Sequence, residues 1–424
     1  MAVNAHSGAL ALNVATGNQS VSGLGFQPKL VILQSTPDTA NIVTAIANSH
    51  WSYGAFDGTN KTVQASNDRN GISTSDNRKY ADITNTIYVA DPPGTMTPDY
   101  IATGVSLDAD GFTINITNAP PINYRFGYWA LGGSDVTNVK VGTFGSKGST
   151  GSQGITGVGF QPDLIIIFSS GTFGGMPVNL GEGINGIGFA NGLLTANQYA
   201  MGSYSADGTT SAIGTISAHN TGYVVYLPMT NTFVSLQATL TSFDADGFTL
   251  NWVTHPVLAN VNMSYIAIKG TVDFKSKVGV AILPVFTGGK TIVTGIGFDP
   301  KCGLFASACF QALGTTTAGV HTSFGWADTL KNMFMTGQTA RFFGGSMNSF
   351  HTSHDLRIHR YNLYSSGGSL LEEASIGSWD TNGFTIYGDK SAGGGASRMG
   401  YLVINAQGLI PPPVTTKKDF GFII

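Results

Sequence analysis

The stretch Val21-Ser-Gly-Leu-Gly-Phe-Gln-Pro-Lys-Leu30 decides the fold, because it returns twice. It recurs as Ile155-Thr-Gly-Val-Gly-Phe-Gln-Pro-Asp-Leu164 and as Val293-Thr-Gly-Ile-Gly-Phe-Asp-Pro-Lys301. Phe26, Phe160 and Phe298 lie 134 and 138 residues apart. Three more anchors keep the same order and period. Gly54, Gly188 and Gly325 stand near aromatic residues such as Phe189 and Trp326. Leu107-Asp-Ala-Asp-Gly-Phe-Thr-Ile114 is matched by Phe243-Asp-Ala-Asp-Gly-Phe-Thr-Leu250 and Trp379-Asp-Thr-Asn-Gly-Phe-Thr-Ile386. Tyr128-Trp-Ala-Leu131 is matched by Tyr265-Ile-Ala-Ile268 and Tyr401-Leu-Val-Ile404. A fixed period of this kind is the mark of a repeat architecture. It divides the chain into modules 1–135, 136–272 and 273–406, followed by a Pro-rich tail, 407–424.

Working outward from the anchors, each module reads as β-structure. The apolar runs after the Gly-Phe-x-Pro turn, Leu30 to Leu33 and Leu164 to Phe168, have the length and branching of buried strands. Phe248, Leu250 and Trp252 alternate with Thr249 and Asn251, the period of a strand with one face buried. Glutamate, a good helix former, occurs only at Glu182, Glu372 and Glu373. Glycine is abundant, 57 of 424 residues, without a collagen period, which suits many tight turns. The expectation is all-β: three tandem β-sandwich modules, jelly-roll-like, of seven to nine strands each, with an extended C-terminal arm.

Charged residues are only 11% of the chain, where about 25% is usual, and the net charge is −3. No cluster of Lys and Arg offers an electrostatic footprint for nucleic acid or for an anionic membrane, so neither is expected as a partner. Met1 to Leu10 lacks the basic and apolar regions of a secretory signal. Cys302 and Cys309 are the only cysteines and share one module, so no repeated disulfide framework exists.

Five groups of residues are candidates for chemistry or binding. Asp108 with Asp110, Asp244 with Asp246, and Asp380 with Asn382 resemble the start of a calcium loop. They lack its closing acid, and a hairpin turn with Asp as cap explains them as well. His351, His354 and His359 accompany the two cysteines in the third module, but their spacing matches no zinc knuckle. A pair of glutamates for glycoside hydrolysis would have to join Glu182 to Glu372 or Glu373, and there is no nucleophile elbow or phosphate loop. No catalytic residue, metal or cofactor is therefore expected. Trp51 stands where the other modules have Asn185 and Thr322, so it is a candidate for stacking on a sugar or a partner chain, with ordinary packing beneath a loop as the other reading. The tail begins Pro411-Pro-Pro and ends with Phe420, Phe422, Ile423 and Ile424, a stiff spacer with an apolar tip that could dock on a neighbouring subunit.

The Gly-x-Gly-Phe-x-Pro opening, the late Asp-Gly-Phe-Thr strand and the terminal Tyr-x-Ala strand resemble β-sandwich modules in virion proteins of tailed bacteriophages. The resemblance covers all three modules and carries over no catalytic residue. It implies a virion protein of head or tail, made in the host cytoplasm, whose partners are other virion subunits. The expected function is a non-enzymatic capsid or tail decoration protein. The alternative is a receptor-binding tail protein that recognises host-surface glycans.

Overall fold

The computed structural model describes residues 2–39, 45–90, 98–210, 214–230, 234–255, 260–308, 312–343, 345–362, 370–391 and 397–406. The first module holds β1 (Asn4–Ala11), β2 (Gly17–Ser22), β3 (Pro28–Ser35), β4 (Ile46–Ala47), β5 (Ser49–Phe56), β6 (Lys61–Asp68), β7 (Asn77–Asp82), β8 (Ile87–Ala90), β9 (Pro98–Asp108), β10 (Gly111–Asn118) and β11 (Arg125–Gly132). The second repeats them in order: β12 (Val136–Gly145), β13 (Gly151–Thr156), β14 (Leu164–Ser169), β15 (Val178–Gly181), β16 (Gly183–Ala190), β17 (Gln198–Ser205), β18 (Thr215–Thr221), β19 (Val225–Pro228), β20 (Val234–Asp244), β21 (Gly247–Thr254) and β22 (Asn262–Gly270). So does the third: β23 (Ser276–Ile282), β24 (Lys290–Thr294), β25 (Cys302–Ser307), β26 (Thr316–Ala318), β27 (Val320–Ala327), β28 (Met333–Phe343), β29 (Ser346–His354), β30 (His359–Asn362), β31 (Leu370–Asp380), β32 (Gly383–Ser391) and β33 (Arg398–Ile404). Among the described residues the one helical element is a single 3-10 turn, Thr195–Asn197.

Each module is a sandwich of a small antiparallel sheet, in the first module β2-β10-β9-β8, on a large one, β1-β11-β3-β5-β6-β7. That is ten strands, more than the seven to nine expected, and the eleventh serves a neighbour. The short strand β15 of the second module pairs with β7 of the first, Val178 opposite Ala81. Likewise β26 of the third module pairs with β18 of the second, Ile216 opposite Ala318. Finally β4 of the first module pairs with β29 of the third, Ala47 opposite Phe350. Every module thus covers the open edge of the module before it, and the third exchange closes the circle. An uncovered edge is a template for aggregation; here it is used for assembly within one chain.

The last strand of each module explains why both of its faces are apolar. In β22, Tyr265 and Ala267 point into the sandwich core of their own module. Ile266 and Ile268 point the other way, into a second core shared by all three modules. That central core gathers Leu30, Ile32 and Trp129 from the first module, Ile166, Phe168 and Phe189 from the second, and Leu304, Phe324 and Trp326 from the third. Tyr53 lies 5.1 Å from Phe324 and 6.0 Å from Phe168 between ring centroids, so rings of three modules meet there.

Side-chain size is matched across each seam between modules. Phe334 of β28 covers Gly127 of β11, where a Cβ would fall 2.0 Å from the ring. Tyr199 of β17 covers Gly400 of β33 in the same way, at 2.2 Å. At the corresponding place on the remaining seam both residues are small, and Thr62 Oγ1 and Ser264 Oγ share a hydrogen bond of 2.6 Å. Large faces small or small faces small, and interiors packed to this density tolerate little else.

A shared core makes the three modules one cooperative unit. Calorimetry should therefore record a single unfolding transition for the whole chain. Phe334→Ala should lower that one transition at a cost of about 3–5 kcal/mol; two or three resolved transitions, with only one shifted by the substitution, would show independent beads.

Candidate functional site

Two of the repeated motifs turn out to be halves of one clasp. In the first module the Asp110 carboxylate accepts the backbone N–H of Gly23 at 3.1 Å and of Gly25 at 2.5 Å. In the second, Asp246 accepts from Gly157 at 2.9 Å and Gly159 at 2.6 Å. In the third, Asn382 accepts from Gly297 at 2.5 Å. All of these glycines have φ between +77° and +90°, the left-handed region that a side chain disfavours. The other acid of each motif is also occupied: Asp108 accepts from Ser106 and Thr113, Asp244 from Ser242 and Thr249, and Asp380 from Thr385. The carboxylates that suggested a calcium loop are thus committed to turn N–H groups and strand hydroxyls, which accounts for the co-repetition of the two anchors. The glycines of the second anchor have a different cause. A Cβ on Gly54 or Gly188 would lie 1.8 Å from a backbone oxygen, that of Thr86 or Val224.

The candidate ligands of the third module do not converge. Cys302 is buried in the central core, with its thiol near the Ile404 carbonyl. His351 Nε2 lies 2.8 Å from Asp38 of the first module, and His359 faces Glu372 at 3.9 Å. Among the described residues no three His, Cys, Asp or Glu form a metal-ligating group; Cys309 lies outside them. Glu182 pairs with Lys79 across a seam at 2.8 Å, so it does not join Glu372 or Glu373.

Trp51 is only 2% exposed, which corrects its reading as a residue open to sugar or partner. It stands in β5 against Tyr53, ring centroids 4.7 Å apart, in the central core. Its counterparts Asn185 and Thr322 are buried as well and hydrogen-bond to each other at 3.2 Å. Phe420, Phe422, Ile423 and Ile424, together with the rest of the arm, lie outside the described residues.

Sequence reasoning passed over a buried charged cluster in the third module. At the end of its sandwich, where the first module stacks Tyr80 on Tyr88 at 3.6 Å, the third places Thr352 and Arg360. Arg360 donates to Thr352 Oγ1 at 2.8 Å and lies 3.4 Å from Glu373. Arg357 bridges Glu373 at 3.2 Å and Asp389 at 3.4 Å. Glu372 accepts from Ser397 at 2.5 Å, and its burial pushes it up to about 7 despite that bond. Burial pushes His359 down to about 3, and neither of its ring nitrogens has a hydrogen-bond partner. The signal was present in the sequence as the rare glutamates Glu372 and Glu373 beside two arginines. The space between Gln338, Thr352, Arg360 and Asn362 leaves no room for a water molecule. Arg357, Arg360, Glu373 and Asp389 thus form one ionic network, with Glu372 and His359 buried beside it.

No known protein family matches the chain, and no curated protein is significantly similar to it.

Two outcomes follow from these groups. Asp110→Ala should lower the melting temperature by the same amount with and without a calcium chelator; a loss seen only in added calcium would restore the metal reading. Glu372 keeps its proton in the fold between about pH 4.5 and 7, so its burial penalty grows as pH rises through that window. Relative to the wild type, Glu372→Gln should therefore become more favourable from pH 5 to pH 8, by up to ~3 kcal/mol in denaturant unfolding.

Proposed function

We propose that this chain is a non-enzymatic structural protein of a tailed-phage virion, a decoration subunit on capsid or tail whose partners are other virion subunits. The observation that carries the reading is the closed ring: one chain supplies three sandwiches related by an approximate three-fold repeat and locked by mutual strand exchange. Such a body fits a three-fold position in a lattice, where each module meets a similar surface and weak contacts multiply. Its outer edges differ from module to module. The edge strands of the small sheets present Asn18 and Ser20 in the first module and Ser152 and Gly154 in the second, but Lys290 and Ile292 in the third. A ring of three similar sandwiches with varied outer edges suits neighbours that are similar without being identical.

The receptor-binding alternative rested on an aromatic side chain open to a glycan, and the burial of Trp51 removes that support. The test is imaging of purified particles at side-chain resolution. Density for the ring on a capsid or tube, its pseudo-axis along a local three-fold axis, is the expected result. Density at a distal tail tip would favour the receptor-binding reading, and absence from every particle would overturn both.

A further inference from the structure

The three seams of the ring are not equal. The chain itself crosses from the first module to the second between Gly132 and Val136, and from the second to the third between Gly270 and Ser276. No peptide bond joins the third module to the first. That seam also has the shortest strand exchange, two residues of β4 on β29, against four and three at the others.

A buried ionic network lies at this seam. Asp38 of the first module and His351 of the third meet at 2.8 Å with side chains 0% and 1% exposed. Thr36 Oγ1 donates to the same carboxylate at 2.6 Å, and His351 Nδ1 lies 2.5 Å from the Asn48 carbonyl. Burial alone would push Asp38 up, but the charge and hydrogen bond of His351 hold it below the usual range. Burial alone would push His351 down, and Asp38 with the Asn48 carbonyl raises it instead. A little further along, Arg125 reaches Asp355 across the seam at 2.8 Å.

Against this pair stands a third group, His50 of β5, edge-on to His351 with centroids 5.1 Å apart. It is 4% exposed, and burial followed by the repulsion of His351 holds it far below the usual histidine range. The charged groups that act on it are His351 from β29 and Asp38 from the loop after β3, and Asp68 of β6 stands one position along in the register, opposite Ser49. Burial pushes Asp68 up to about 6; its carboxylate accepts from Ser49 and has Ser205 and Asp207 of the second module beside it, while its backbone carbonyl accepts from Ser349 of the third at 2.8 Å.

We propose that the seam between the first and third modules is a latch that opens when His50 takes a proton, while the seam between the first and second modules stays closed. The sign follows from the pair. Asp38 and the Asn48 carbonyl raise His351 above the usual histidine range in the closed ring, so below that range opening changes its charge little. His50 is neutral when closed and regains an ordinary histidine affinity when exposed. Opening therefore takes up about one proton below about pH 6.5, which favours the open form tenfold per pH unit. The seam between the second and third modules also buries a histidine, His219, so it is not the reference. The seam between the first and second has Lys79 with Glu182 and Arg78 with Asp207, and no histidine in these pairs.

Hydrogen exchange on the full chain, corrected for the intrinsic pH dependence of exchange, tests this. Peptides covering Ile46–Ala47 and Ser346–His354 should show an opening constant that rises about tenfold per unit from pH 6.5 to 5. Peptides covering Asn77–Asp82 and Val178–Gly181 should show no rise, their opening constant instead falling below about pH 6 because the protonated Asp68 resists exposure there, and His50→Gln should flatten the first slope. Equal slopes at the two seams in the wild-type protein would overturn the proposal even if the variant fails to fold, as would a His50→Gln protein that keeps the wild-type slope.

Discussion

The structure depends on one constraint: every large sheet has two apolar faces, and a sandwich can bury only one of them. The small sheet covers the inner face. The outer face, with Ile32, Trp129, Ile166, Ile266, Leu304 and Leu402, must be covered by something else. At roughly 25 cal/mol per Å² of apolar surface, leaving that face in water would cost more than a domain's usual net stability. Three modules answer it together by turning those faces inward around one core, and the exchanged strands follow from the same geometry. Once the modules meet there, the edge strands β7, β18 and β29 lie beside the loops of the next module, which supply β15, β26 and β4.

A ring of three equivalent positions also restricts what can stand near its centre. Trp51, Asn185 and Thr322 are equivalent by register, and all three are buried. Asn185 and Thr322 hydrogen-bond to each other, while Trp51 packs on Tyr53 in the central core, so equivalent positions make different contacts. The same logic governs the seams, where Phe334 and Tyr199 require glycine opposite and Thr62 accepts serine. The repeat is thus kept by turns and clasps, and broken where the three copies touch one another.

This division explains what could be read from the sequence. The turn motifs were legible because each is local in chemistry: a Gly-x-Gly turn needs positive φ, and the acid of Asp-Gly-Phe-Thr needs donors. The alternation in β10 and β21 was legible because one face of each is buried. The exchanged strands were not, since β4, β15 and β26 span two to four residues within polar loops and get their partners from another module. Packing and an exposed role for Trp51 could not be told apart for the same reason: a position that differs between copies resembles a variable surface residue, when here it lies in the shared core. The charged cluster of Arg357, Arg360, Glu372 and Glu373 carries no periodicity at all, and only the fold brings it together.

Small-angle scattering of the purified chain measures the closed ring most directly. A compact body of this length has a radius of gyration of about 22 Å, and that value is predicted for the monomer at neutral pH. Three sandwiches strung end to end, each compact on its own, would give roughly 30 Å or more by the same scaling, and that result would contradict the shared core.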